Sequence, residues 1–163
     1  MRRALGRIFQ RNALKLINVY PPFLGAGVRV RKVDDGGLHY RATMRLRLYN
    51  RNYFGTHFGG SLYSMCDPFY VLILSQQLGR DYSVADRGAD LRFRRPGTGK
   101  VSADFVMTRE EIEAIRRQVD ETGRAEPRLR AVVVDEAGQT VAEIDKLLSV
   151  RRRASAAAPQ AQL

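Results

Sequence analysis

The stretch from Asn52 to Asp67 reads NYFGTHFGGSLYSMCD and holds the residue types best suited to chemistry. Gly59 and Gly60 come directly before the one long apolar segment of the chain, and glycine lets backbone approach a ligand because it has no Cβ. If a helix begins there, its first N–H groups lack an internal acceptor and carry the positive end of the helix dipole. Such donors can stabilise a carbonyl oxygen that gains negative charge.

Asp67 places a carboxylate inside this apolar segment. It lies seven residues after Gly60, close to two helical turns, so a continuous helix would return it to about the same face. A polarising amide and a carboxylate on one face indicate acyl transfer to water. The same residues also fit a plain loop before a helix, with Asp67 as a cap or a structural hydrogen-bonding group.

The composition suits one domain with a real core. The chain has 163 residues, 44% of them hydrophobic, and we assign residues 1–153 to a single domain. Residues 154–163 are rich in alanine and glutamine and are expected to be disordered. The single cysteine, Cys66, excludes an internal disulfide framework and is expected to be a small buried residue. With two histidines and one cysteine, we expect no metal site.

The formal net charge is +11, and much of the excess lies near the two ends. Such a surface favours anionic partners, among them nucleic acid, anionic lipid, the phosphates of coenzyme A and acidic carrier proteins. It also fits a solvated arginine-rich surface without a partner. No nucleic-acid-binding motif accompanies the charge, so we expect no specific nucleic-acid role. No apolar run approaches the roughly 18 residues that span a bilayer, which predicts a cytoplasmic protein without a transmembrane segment or secretory signal.

Hydrophobic periodicity predicts the elements that position the candidate residues. We expect a basic amphipathic helix over 4–19 that Pro21 and Pro22 end, and a buried helix over 61–78 that bends at Pro68. A third helix over 108–119 begins with a capping-box pattern. Strands are predicted at 28–33, 38–49, 84–93, 101–107, 129–134 and 140–150. This order predicts an α+β domain in which a curved antiparallel sheet wraps around one long apolar helix.

The layout resembles the hotdog fold of the thioesterase superfamily. The pattern Asn52-x-x-Gly55-Thr56-x-x-Gly59-Gly60 followed by Asp67 resembles the active-site motif of small acyl-CoA thioesterases of the PaaI type. The segments YPPFLGAG at 20–27 and DPFY at 67–70 resemble an uncharacterised subgroup of hotdog proteins of the DUF4442 type. The resemblance covers roughly residues 4 to 152. It implies an acyl-CoA or acyl-carrier thioester as substrate, no cofactor besides the coenzyme A of that substrate, and a homodimer or a dimer of dimers.

The resemblance also implies roles for individual residues. Asn52 would orient the substrate, the N–H of Gly59, beside Gly60, would polarise the thioester carbonyl, and Asp67 would act as base or nucleophile across a dimer interface. The family usually has histidine directly before the glycine pair. Here Phe58 stands in that position and His57 comes one residue earlier, so His57 either reaches the site or is a loop residue without a role.

Further candidate site residues lie mostly after the buried helix. The resemblance also implies a second polar group from the strand before Pro96. Counting back from that proline, this role falls at Asp86, with Ser83 as the alternative, although Asp86 beside Arg87 also fits a surface or buried ion pair. Arg94 and Arg95 suit the phosphates of coenzyme A, and they fit a solvated strand edge equally well. Phe58 is among the apolar residues that fit either a medium or aromatic acyl group or the core. Two other functions stay open, a non-catalytic acyl-CoA-binding or regulatory protein and a dehydratase that uses His57 with Asp67.

Overall fold

A computed structural model describes residues 16–153 and shows one antiparallel sheet with helices on it. The strands are β1 (Val28–Lys32), β2 (His39–Arg45), β3 (Tyr82–Phe93), β4 (Lys100–Val106), β5 (Arg124–Ala125), β6 (Arg128–Asp135) and β7 (Thr140–Arg152). Six strands run in the order β1-β2-β4-β6-β7-β3, and β5 pairs with β7. The predicted hotdog fold, with a sheet around an apolar helix, is confirmed.

The alternation along the strands decides which face of the sheet is buried. On β2, Tyr40, Ala42 and Met44 point into the core, and Ala42 lies opposite Ala103 of β4. Polar residues between them face outward, because successive side chains of a strand point to opposite faces. One apolar face therefore covers the central helix.

The central helix is interrupted at the position where a bend was predicted. It consists of α2 (Gly59–Ser64) and α3 (Phe69–Leu78), and Pro68 is the N-cap of the second part. The ring of Phe69 stacks on Phe105 of β4 with centroids 4.2 Å apart, which anchors α3 to the sheet. Because the helix stops after Ser64, Asp67 lies in the break. The inference that Asp67 shares a helical face with Gly60 is therefore wrong.

The prolines near the N-terminal end have a second role besides the predicted one. The helical turn before them ends at Val19, as predicted, and Pro21 and Pro22 then open a separate short helix, α1 (Pro21–Ala26). Proline is tolerated there because the first N–H groups of a helix need no internal acceptor. Of the predicted helix over 4–19, residues 17–19 form a 3-10 turn. Residues 4–15 and the predicted tail at 154–163 lie outside the described residues.

The helix α4 (Arg109–Thr122) confirms the predicted capping box. The Thr108 side chain accepts a hydrogen bond from the Glu111 N–H at 3.1 Å, and the Glu111 carboxylate accepts one from the Thr108 N–H at 2.8 Å. This helix ends at Thr122, three residues beyond the predicted end, and the short strand β5 follows it. Between residues 16 and 153, no helix is long and apolar enough to cross a membrane.

Candidate active site

Asp67 lies in the break between α2 and α3, where its carboxylate is partly open to solvent. Its side chain is 47% exposed, and its Oδ1 accepts a hydrogen bond from Nζ of Lys146 at 2.8 Å. The N–H of Asp67 donates to the carbonyl of Ser64 at 3.3 Å, which ties the break to the last turn of α2. The carboxylate is thus fixed at one oxygen, and its surroundings are wet enough for a water to reach it.

Lys146 is the buried cation of the site. It lies on β7, and its side chain has 0% exposure. Its ammonium also contacts the Asp86 carboxylate at 2.9 Å and lies 5.4 Å from the centre of the Tyr63 ring. Burial by itself would lower the pKa of Lys146, but hydrogen bonds and charge attraction from Asp67 and Asp86 outweigh it and hold that pKa above its ordinary value. Lys146 is therefore charged at neutral pH.

The sequence prediction did not include Lys146, although the pattern contained a signal for it. Val141, Ile144, Leu148 and Val150 of β7 are buried, and Lys146 stands in step with Ile144, Leu148 and Val150. A lysine on the core face of a strand needs a partner, because burying an unpaired charge is costly. Strand alternation could thus have indicated a buried lysine, although not its partners.

Asp86, the first choice for a second polar group, faces the site through this lysine. It lies on β3, next to a bulge that shifts the register against β7 between Asp86 and Gly88. The suggested ion pair with Arg87 does not form; instead Arg87 contacts Glu126 at 2.5 Å. Ser83, the alternative, is exposed on β3 opposite Arg151. The three charged groups Asp67, Lys146 and Asp86 carry a net charge of about −1 when all are ionised.

Two further titratable groups adjoin Asp67. Burial raises the pKa of the Tyr63 phenol, with Lys146 opposing and Asp67 reinforcing the shift. Burial also raises the pKa of the Cys66 thiol far above its usual range, and the side chain is fully buried, as expected. Both groups therefore stay neutral at the pH of most assays. Among residues 16–153, no cluster of three or more His, Cys, Asp or Glu side chains could hold a metal ion.

Asn52 shapes the loop before the central helix. Its side-chain oxygen accepts hydrogen bonds from the N–H groups of Phe54 and Thr56 at 2.9 and 3.1 Å. Its amide donates to Oγ1 of Thr56 at 2.9 Å and to the carbonyl of His57 at 3.4 Å. The amide proposed to orient a substrate is thus engaged within its own loop.

His57 is buried, with 3% of its surface exposed. Its Nε2 contacts the carbonyl of Gly99 at 3.1 Å, so this nitrogen carries the hydrogen, while Nδ1 is buried without a hydrogen-bond partner. Burial lowers the pKa of His57 despite the bond to Gly99, which keeps the ring neutral at pH 7. The ring fastens the loop before α2 to the loop between β3 and β4.

Gly59 and Gly60 are the first two residues of α2, and Phe58 is its N-cap. Phe58 is 55% exposed, and a Cβ on Gly60 would lie 2.4 Å from its ring. A Cβ on Gly59 would lie 2.7 Å from Cζ of Phe93 at the end of β3. The absence of side chains therefore allows two aromatic rings to lie against the start of the helix.

An open groove of about 500 Å³ runs beside this helix start. Its walls come from the loop before α2, from the start of α2, and from the exit of β3, with Asn52, Phe54, Thr56, His57, Gly59, Leu62, Phe93, Arg94, Arg95, Pro96 and Gly97 as lining residues. Arg94 pairs with Glu143 at 2.7 Å, and Arg95 pairs with Asp135. The two arginines predicted to meet phosphate therefore border the groove, each next to a carboxylate of the chain.

The groove and the charged group of Asp67, Lys146 and Asp86 lie at different places along β3. Asp67 reaches β3 at Asp86 through Lys146, whereas Gly59 reaches it at Phe93. On β7, Asp86 pairs with Leu148 and Phe93 pairs with Ala142. Leu148 and Ala142 are six residues apart, and a strand rises by roughly 3.3 Å per residue, so the two positions lie about 20 Å apart. Gly59 and Asp67 of one chain therefore reach parts of β3 that lie far apart.

Comparisons with known proteins agree with this fold. The model of DUF4442, a domain of unknown function, matches residues 8–150. No curated protein matches the chain. Among solved structures, PA5026 of Pseudomonas aeruginosa, a protein of unknown function, is 24% identical with a TM-score of 0.69 and covers 93% of this chain and 96% of its own.

Two further structures extend the likeness. The thioesterase HI1161 of Haemophilus influenzae is 16% identical with a TM-score of 0.62, over 89% of this chain and 92% of its own. The PaaI protein from the phenylacetic acid degradation operon of E. coli is 16% identical with a TM-score of 0.57, over 89% of this chain and 93% of its own. The chain has the hotdog fold of these proteins and belongs to the DUF4442 family.

Proposed function

We propose that the protein hydrolyses an acyl-CoA thioester, with Asp67 as the group that activates water or attacks the substrate directly. The observation that carries the proposal is a half-exposed carboxylate held at 2.8 Å by a fully buried ammonium, in a break of the central helix. An ionised carboxylate with access to water is what a general base requires. The likeness to the thioesterase HI1161 supports the reaction class by fold analogy.

In the general-base route, Lys146 donates to Oδ1 of Asp67, and we assign Oδ2 to the attacking water. Asp67 takes a proton from this water while the water oxygen bonds to the thioester carbon. The carbonyl oxygen gains negative charge, which the N–H of Gly59 stabilises; removing one such donor typically costs about 3–4 kcal/mol of transition-state energy. The carbon–sulfur bond then breaks, the thiolate leaves and takes up a proton, and the carboxylic acid is released. In the alternative route, Asp67 attacks the carbonyl itself and water hydrolyses the resulting anhydride.

We propose that two copies of the chain complete the site, because Gly59 and Asp67 of one copy reach parts of β3 that lie about 20 Å apart. The strand β3 ends the sheet, and every residue from Ala85 to Asp90 is exposed. Exposed edge strands pair readily with another strand. If two β3 strands pair antiparallel about a two-fold axis near Ala89 and Asp90, Phe93 and Gly59 of one copy approach Asp86 and Asp67 of the other.

The groove fits the remaining parts of such a substrate. Phe54, Leu62 and Phe93 offer apolar contact to an acyl group. Arg94 and Arg95 also line the groove, and we assign them to the phosphates of coenzyme A. Arginine binds phosphate through paired N–H donors, and the present partners Glu143 and Asp135 would have to yield or share these donors. Phe58, which is exposed at the N-terminus of α2, is a further contact for the acyl group.

A thiol-release screen tests the reaction. Acetyl-, hexanoyl-, dodecanoyl- and phenylacetyl-CoA are offered to the wild type and to Asp67→Ala. We expect turnover of at least one thioester and a loss of about 10²- to 10⁴-fold in the variant, as for removal of a general base. Equal turnover by both proteins would refute the role of Asp67.

Cysteine cross-linking tests the dimer. Ala89→Cys is expected to form an intermolecular disulfide on mild oxidation, because the two Cα atoms come within the roughly 7 Å that a disulfide tolerates. Arg31→Cys on β1, at the other end of the sheet, is the matched control. Cross-linking at position 31 and not at 89 would refute the proposed pairing.

A non-catalytic acyl-CoA-binding protein is the second candidate, and the engaged amide of Asn52 favours it. All hydrogen bonds of this side chain close its own loop, so the residue that would orient a substrate is occupied. This candidate predicts that acyl-CoA raises the melting temperature of the protein without release of thiol. Turnover in the screen would refute it.

A further inference from the structure

The structure assigns Lys146 as a positioning residue, which fixes the direction of the Asp67 carboxylate for the proposed hydrolysis. This inference rests on the proposed function. Lys146 does not touch substrate, because its side chain has 0% exposure. It acts through Asp67, which it reaches across 79 residues of chain.

The geometry makes the ammonium a bridge. It contacts Asp67 at 2.8 Å and Asp86 at 2.9 Å, so the break of the central helix is tied to the edge strand β3 through β7. The carboxylates are 47% and 36% exposed, whereas the cation has no contact with solvent. A buried cation with two anions on its outer side can turn only a little, so each carboxylate has a defined direction.

The bridge also sets the balance of charges around Asp67. The groups that face it are Lys146 from β7, Asp86 from β3, and Tyr63 and Cys66 from the central helix and its break. Tyr63 and Cys66 are neutral, so Lys146 supplies the only positive charge among these four. A nearby opposite charge favours the ionised form of a carboxylate, and a like charge such as Asp86 disfavours it. Without Lys146, the one charge that these groups would present to Asp67 is the like charge of Asp86.

The kinetic test compares pH–rate profiles of the wild type and variants with the thioester from the screen that is turned over fastest. In Lys146→Met we expect kcat to fall about 10- to 100-fold, as misplacement of a reacting group by about 1 Å does. The acidic limb of kcat/KM should move to higher pH, because the carboxylate now protonates earlier. Asp86→Asn removes a negative charge, so the acidic limb of kcat/KM in this variant should stay where it is in the wild type or move to lower pH. Lys100→Met, at an exposed lysine of β4, is the matched control and should behave as the wild type.

A second readout is independent of turnover. The side-chain carboxyl carbon of Asp67 is followed by carbon-13 NMR against pH in the wild type and in Lys146→Met, with Asp67→Asn to assign the signal. The inference requires that the signal titrates at higher pH in Lys146→Met. An unchanged midpoint in folded protein would overturn it, even if the wild type hydrolyses thioesters. A shifted midpoint without turnover in the wild type would support the bridge and overturn only the proposed hydrolysis.

Discussion

The buried ammonium and its two exposed anions predict an asymmetry in stability. Removal of the cation by Lys146→Met should cost less than removal of both anions by Asp67→Asn with Asp86→Asn. Methionine has a similar length and adapts its shape to an apolar site. The asymmetry arises because water can solvate the carboxylates, which are 47% and 36% exposed, but not the ammonium, which is 0% exposed.

The exposed fractions of the three side chains determine how much each substitution should lower the free energy of unfolding. Removing one partner of a fully buried ion pair costs about 3–5 kcal/mol. In Lys146→Met the stranded carboxylates regain water, so we expect about 1–2 kcal/mol after solvent screening is taken into account. Each single Asp→Asn change leaves one anion on the lysine and should cost about 1 kcal/mol. The double change leaves a charge that water cannot reach, and we expect about 3–5 kcal/mol, more than the sum of the singles.

Urea unfolding at pH 7.5 measures these differences, followed by circular dichroism because the chain contains no tryptophan. All variants are compared at one protein concentration, since association would add to the free energy of unfolding. Adding Lys146→Met to the double variant should restore stability, because no buried charge remains. The reasoning is refuted if Lys146→Met is as destabilising as the double variant, or if the two single changes simply add.

Three further predictions concern other parts of the fold. The pKa of His57 is lowered by burial, so the unfolded chain binds more protons than the folded chain below about pH 6.5, and the free energy of unfolding should fall with decreasing pH there. In a urea series from pH 7 to 5, His57→Gln should flatten the dependence of this free energy on pH, whereas an unchanged dependence would contradict the inference. Thr108→Ala removes the capping box and should cost about 1 kcal/mol in thermal or urea unfolding, while Thr108→Ser should be nearly neutral; equal losses would argue against the cap. Gly27 and Gly55 both have positive φ, 74° and 79°, but a Cβ meets Oη of Tyr49 at 2.9 Å only at Gly27. Gly55→Ala should therefore cost about 1–2 kcal/mol from backbone strain and Gly27→Ala more, and the reverse order of melting temperatures would count against this comparison.

Local patterns in the sequence determined most of the fold. Period-2 alternation predicted β2, β4, β6 and β7 to within a few residues, and the capping box predicted the start of α4, because both effects depend on neighbours close in sequence. The residues of the glycine motif and of the DPFY segment resembled the DUF4442 type of hotdog protein, and the family and fold are confirmed. The interruption of the central helix was predicted only as a bend, since a proline signals a disturbance but not its extent.

The tertiary structure decided what surrounds the candidate carboxylate. Asp67 and Lys146 are 79 residues apart, and only the register of β7 against β3 and the break between α2 and α3 bring them together. The same register places the β3 residues that Asp67 and Gly59 reach, Asp86 and Phe93, about 20 Å apart. His57 likewise acquired its partner, Gly99, from a loop 42 residues away. Residue type and spacing indicate which groups are available for chemistry. The carboxylate contacts that keep a buried lysine charged and the burial that keeps a histidine neutral exist only after the sheet has closed over the helix.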